Sequence, residues 1–139
     1  MYTKRMLSLN ECEDAIDAMI IEYNKDTNRR KVDMAIVDDV GNLLKYARMD
    51  GCHRPTFATR KAYTAAMRRN DTGALAEQLK SQGRTIAEFG DPQLIAIQGG
   101  LVINDPETGA LLGGIGVGGL PSGKEDEDIA RVGLAALKL

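Results

Sequence analysis

His53 is the lone histidine of this chain, and its side chain is the only one whose unperturbed pKa lies near neutrality. It stands in Cys52-His53-Arg54-Pro55, after a strand-like segment and before a helix-like one. That position suits a general base, and an exposed loop histidine is the blander reading. Cys52 beside it would be a nucleophile only as a thiolate, and no second histidine exists to activate it. Glu125 and Asp126 open the acidic run Glu125-Asp126-Glu127-Asp128 and are candidate bases alongside His53. Candidate ligand contacts are Arg48, Arg54, Lys61 and Tyr63. Gly116, Gly118 and Gly119 join them, because a residue without Cβ allows close approach by a ligand or by another backbone.

Most of these residues carry a second, structural reading. Arg48 and Asp50 flank Met49 on one face of a strand end. They would either pair to fix the turn or leave Arg48 to recognise an anion. Lys61, if its helix turns it toward a sheet, would need a carboxylate partner; on the other face it would be solvated. Tyr63 would donate to a ligand or pack. Arg54, Arg60, Arg68 and Arg69 make this region locally positive, either as a solvated face or as a site for carboxylate-bearing ligands. Gly113 to Gly119 lacks the Gly-Lys-Ser/Thr ending of a P-loop and only loosely matches a dinucleotide fingerprint. Close packing and a pocket wall of backbone N–H groups remain. The acidic run beside it argues against a highly anionic ligand there.

Composition narrows the classes. A formal net charge of -2 provides no basic field for nucleic acid, and 4% aromatics provide no stacking platform. Two cysteines without C-x-x-C spacing and one histidine argue against a structural metal site. No apolar run approaches a membrane span. Met1 to Leu7 lacks the pattern of a signal peptide, so a cytoplasmic protein with reduced thiols is expected. At 139 residues with 43% hydrophobic content, residues 1–139 are expected to form one domain with a sizeable core.

The elements that must position these residues follow from periodicity and punctuation. Ser8-Leu9-Asn10-Glu11 is a capping box, and Leu9, Cys12, Ile16, Met19, Ile20 and Tyr23 mark one apolar helix face running to about Asp26. Asn24 to Lys31 reads as a polar loop. Val32–Asp38 and Leu43–Met49 predict a hairpin around Asp39-Val40-Gly41-Asn42. Thr56 to Arg69 predicts a helix with a small-residue face at Ala58, Ala62, Ala65 and Ala66. Asp71 or Thr72 caps a further helix through Leu79, which Gly83 ends. Arg84 to Pro92 reads as loop, Leu94–Gln98 and Leu101–Asn104 as strands. Asp105 to Gly109 then turns the chain into a strand at Ala110–Val117. Ser122-Gly123-Lys124-Glu125 repeats the capping box before a last helix with Ile129, Val132, Gly133, Ala136 and Leu137 on its apolar face. Hairpin connections predict a mostly antiparallel sheet with helices packed on it, an α/β (α+β) chain.

Three stretches in order resemble one family. Ala35-Ile36-Val37-Asp38 with Gly41-Asn42-Leu43-Leu44 and Arg48-Met49-Asp50-Gly51 is similar to the first hairpin of the GlcG/HbpS-like proteins. These are also called the haem-degrading domain family, and they include the C-terminal domain of PduO-type corrinoid adenosyltransferases. Lys61-Ala62-Tyr63-Thr64-Ala65-Ala66 looks like the family's helix motif, and Gly113 to Gly119 with Glu125-Asp126 and Ile129-Ala130 like its C-terminal signature. The resemblance spans roughly residues 8 to 138. It implies a profilin-like fold with a five-stranded antiparallel sheet between helix layers, and self-association from dimer to octamer. It implies haem binding in some members, and it makes Glu125 or Asp126 the partner of Lys61. The segments Cys52–Pro55 and Ile86–Pro92 depart from the common pattern.

The expected protein is an oligomeric small-molecule binder whose ligand is haem, another tetrapyrrole or a planar organic acid. Its pocket would lie between Cys52–Lys61 and Gly116–Asp126, with His53 as axial ligand if haem binds. The alternative is a cofactor-independent isomerase, lyase or hydrolase of a small carboxylate-bearing catabolic intermediate. There, His53 or a carboxylate of Glu125-Asp126 would be the base, and Arg48 or Arg54 would hold the substrate. A third reading is an accessory subunit whose glycine face only packs against neighbours.

Overall fold

The structure is a computed structural model that describes residue 1, residues 3–53 and residues 55–139. Helix α1 (Leu9–Tyr23) precedes a hairpin of β1 (Asp33–Asp38) and β2 (Leu43–Arg48). Helices α2 (Phe57–Arg68) and α3 (Thr72–Ser81) follow, then β3 (Gly100–Asn104), β4 (Leu111–Gly118) and α4 (Gly123–Ala136). The sheet has four strands in the order β2-β1-β4-β3, and every neighbouring pair is antiparallel.

The capping box at the start of α1 is complete. The Glu11 N–H donates to Ser8 Oγ at 3.1 Å, and the Ser8 N–H donates to the Glu11 carboxylate at 2.9 Å. Cys12, Ile16, Met19 and Tyr23 are buried as the periodicity requires, but Leu9 is exposed. Burial pushes the Cys12 thiol up to about 11, so it behaves as a small hydrophobe. Helix α4 packs beside α1 on the same sheet face, and their apolar stripes close the larger core over Met34, Ile36, Ile115 and Val117.

The opposite sheet face is built differently. Ala58, Ala62 and Ala66 of α2 lie on Ala35 and Val37 of β1 and on the glycines of β4. A Cβ at Gly114 or Gly116 would collide with the carbonyls of Ala62 or Ala58 respectively. Helix backbone therefore rests almost directly on strand backbone, which only small residues on both sides permit.

The expected fifth strand is absent among the described residues. Leu94–Gln98 belongs to no ladder, and the backbone at its start is held by side chains of α2 instead. The Ile95 N–H donates to Thr64 Oγ1 at 2.9 Å. The Arg60 guanidinium donates to the carbonyls of Pro92, Gln93 and Leu94 at 3.1, 3.4 and 3.2 Å. These bonds answer polar groups that would otherwise seek a strand partner. The expected loop at Arg84–Pro92 contains a 3-10 helix, Ile86–Phe89, and at its start the Thr85 N–H donates to the Glu88 carboxylate at 2.7 Å. No helix among the described residues is long and apolar enough to cross a membrane.

Candidate functional site

Five parts of the chain converge on a cleft of about 440 Å³. The segment leaving β2 contributes Gly51, Cys52 and His53. The first turns of α2 contribute Phe57 and Lys61. Ile97 comes from the strap that Arg60 and Thr64 hold against α2. Gly119, Leu120, Pro121, Gly123 and Asp126 come from the link between β4 and α4. Arg30 and Lys31 close the rim just before β1. His53 is exposed and Cys52 is buried.

The floor holds a buried ion pair. Lys61 Nζ donates to Asp126 Oδ2 at 2.9 Å and to the Val117 carbonyl at 3.0 Å, and the two side chains keep only 3% and 4% of their surface. Asp126 Oδ1 accepts from the Leu120 N–H at 3.0 Å. Burial pushes the Asp126 carboxyl up, while the Lys61 ammonium and the Leu120 bond pull it back. Room for the ammonium depends on Gly99, where a Cβ would stand 2.7 Å from Nζ. Among the described residues two of the three ammonium hydrogens are engaged, and Lys61 is one of the residues that line the cleft.

A second carboxylate lies close by. Asp33 has no exposed surface. Its Oδ2 accepts from the Tyr46 hydroxyl at 2.9 Å, and its Oδ1 has no partner among the described residues. Burial pushes its carboxyl up to about 6, against the Tyr46 bond and Lys61. Burial and the Asp33 carboxylate push the Tyr46 phenol up in turn.

Of the residues picked from the sequence, His53, Lys61, Asp126 and Gly119 meet at the cleft. Five others do not line it, and each has a physical reason. Gly116 and Gly118 lie beneath α2, where they admit helix backbone. Arg48 is exposed on the sheet's edge strand β2, and among the described residues no ion pair joins it to Asp50. The Tyr63 hydroxyl donates to Asp91 Oδ2 at 2.6 Å, and its ring covers Gly41. Glu125 is exposed at the start of α4, where Ser122 Oγ donates to its carboxylate at 2.8 Å and its own N–H donates back to Ser122 at 3.2 Å. Arg54 lies outside the described residues.

The arginines of α2 are also spent elsewhere, Arg60 on carbonyls and Arg68 stacked 3.8 Å from the centre of the Phe89 ring. The cations at the rim are Arg30 and Lys31, in a stretch that sequence reasoning passed over as polar loop. It also missed Asp33 and Tyr46. The signal was there: Asp33, Ala35 and Val37 alternate on one face of β1, and only the first is polar. Among the described residues, no group of three or more His, Cys, Asp or Glu side chains is arranged to hold a metal ion.

Comparison with known proteins agrees with this architecture. Protein GlcG of Escherichia coli strain K12 is 36% identical over 120 residues, 84% of each chain. A double mutant of HbpS from Streptomyces reticuli superposes with a TM-score of 0.85 at 34% identity, covering 99% of this chain and 90% of that one. A structure described as a PduOC:Heme complex shares the fold, with a TM-score of 0.83 at 24% identity over 95% of each chain. The sequence model of the family described as "Haem degrading protein HbpS-like" matches residues 7–135, and this chain belongs to that family.

Proposed function

We propose that the cleft binds a flat, carboxylate-bearing small molecule, with haem the first candidate and another tetrapyrrole or a planar organic acid next. One observation carries the reading: the cleft is lined by a lone imidazole, a buried ammonium, two further cationic residues and apolar side chains. Its volume of about 440 Å³ falls within the range of small-molecule sites. Phe57, Ile97, Leu120 and Pro121 would receive a ring system, and Arg30 and Lys31 would meet its carboxylates.

The donor set fits haem. His53 would be the axial ligand, the walls would take part of the macrocycle, and the rim cations would take the propionates. Bound haem would supply iron-centred redox chemistry; this chain's residues hold and orient it. The family's description and a haem complex of the same fold support this choice. Self-association belongs to the proposal, because an open cleft leaves part of a large flat ligand for a second copy to cover. A reducing compartment suits the two free thiols, Cys12 and Cys52.

A second reading, a cofactor-independent enzyme, is favoured by the placing of His53 and Asp126 in one cleft. A carboxyl pushed up by burial in the same cleft as an imidazole offers two groups of the kinds that acid–base chemistry uses. Arg30 or Lys31 would then hold the substrate carboxylate.

Haem titration followed by absorbance separates the readings. The proposal expects a shifted Soret band that is lost in His53→Ala while the variant keeps its fold. No shift in the wild type, or the same shift in the variant, removes His53 as a haem ligand.

A further inference from the structure

Beside the cleft lies a carboxylate that the proposed ligand contacts do not use. Asp33 is fully buried, and Tyr46 is its one hydrogen-bonding side chain among the described residues. The Tyr46 hydroxyl also lies 3.2 Å from the carbonyl oxygen of Pro55, in the segment that runs from His53 into α2. A phenol has one hydrogen to donate. While Asp33 is ionised, its carboxylate and the Pro55 carbonyl compete for that hydrogen. With a proton taken from solvent onto Asp33, both bonds form together. Asp33 then donates to the Tyr46 oxygen, and Tyr46 donates to Pro55.

We infer that Asp33 is a proton-binding site and, with Tyr46, a positioning pair that sets how firmly the His53 segment is tied to the sheet. The inference uses the cleft reading only for its consequence, a ligand affinity that depends on pH.

The groups around the pair decide the direction. Lys61 of α2 favours the ionised form of Asp33, and Asp126 of α4 opposes it. Lys61 already donates to Asp126, so much of its charge is answered there. Cys52 and Arg48 act on Tyr46 in opposite senses, the first raising and the second lowering its phenol. Burial outweighs the attractive contacts and holds Asp33 near 6, so the proton can come and go at ordinary pH.

The test uses the ligand-free protein, carbon-labelled at Asp carboxyls and Pro carbonyls and followed by NMR from about pH 4 to about pH 8. In the wild type, the Asp33 carboxyl and the Pro55 carbonyl should shift together with one midpoint, about 6. In Asp33→Asn, whose amide can donate to Tyr46 permanently, the Pro55 signal should stay at its low-pH position. In Tyr46→Phe, Asp33 should still titrate while Pro55 stops responding. A Pro55 shift that survives in Asp33→Asn would belong to a group other than Asp33 and would overturn the inference. An Asp33 midpoint in the usual carboxylate range, or a Pro55 signal indifferent to pH in the wild type, would overturn it as well. Failure of haem to bind would leave these results untouched, and a failed titration would leave the binding proposal standing.

Discussion

Lys61 is where fold and site meet in one side chain. Its stem crosses between α2 and β4, and its head holds the start of α4 through Asp126. Lys61→Met removes the cation and leaves a buried carboxylate with no charge partner, which costs on the order of 3–5 kcal/mol in comparable pairs. Denaturant unfolding near neutral pH should show a loss of that size. Lys61→Met combined with Asp126→Asn should recover part of it, and a single-variant loss below about 1 kcal/mol would mean that the pair does not hold the cleft floor.

Asp33 makes a prediction of opposite sign. Its folded carboxyl stands at about 6 against an ordinary 3.8, so the folded state binds the proton more tightly than the unfolded one. Above pH 6 the buried charge costs stability, by about 3 kcal/mol for a shift of this size, and the cost fades as pH falls toward 4. Asp33→Asn should therefore be the more stable protein at pH 8 and lose that advantage by pH 4. Parallel wild-type and variant curves across this range would contradict it.

At the scale of elements, the contact that sets the geometry is α2 lying on β4 through alanines and glycines. Gly116→Ala would drive a methyl into the Ala58 carbonyl, and overpacking of this kind costs roughly 1–3 kcal/mol. The melting temperature should fall by several degrees, because a domain of this size loses about 2–8 °C per kcal/mol. An unchanged melting temperature would mean that the two layers are not in backbone contact.

The same scale shows what the sequence made legible. Capping boxes and periodicity announced α1 and α4 because both signals are local, and turn chemistry announced both hairpins for the same reason. Leu94–Gln98 was misread because an extended apolar run looks alike whether a strand or a helix side chain answers its backbone. Arg60 and Thr64, which settle that question, lie about 30 residues away, beyond any local pattern. Thr85-x-x-Glu88 did carry a capping signal for the 3-10 helix, but the segment has no apolar face to draw attention to it.

Over the whole molecule, the sheet order carries β4 from β3 to the middle of the sheet and releases the chain at Gly119, beside the start of α2. That route brings Gly119, the last of the glycine cluster, to the cleft that His53 lines. The expected meeting of Cys52–Lys61 with Gly116–Asp126 was legible only in part, since the cleft takes the second segment from Gly119 onward. The rim was not, since Arg30 and Lys31 gain meaning only once the chain returns past them. Arg48 and Tyr63 were chosen for chemical type, but a strand edge and a helix flank carry them away from the cleft.

The central claim is that one cleft, floored by Lys61 and Asp126 and flanked by His53, is where this protein meets its ligand. The most direct measurement is an amide NMR titration of the folded protein with haem and, separately, with a metal-free porphyrin. The account predicts that the largest perturbations fall on Gly51–His53, Phe57, Ile97 and Gly119–Asp126, and that removing the iron weakens chiefly those beside His53. Perturbations confined to the far side of the sheet, along α1 and the outer face of α4, would contradict it.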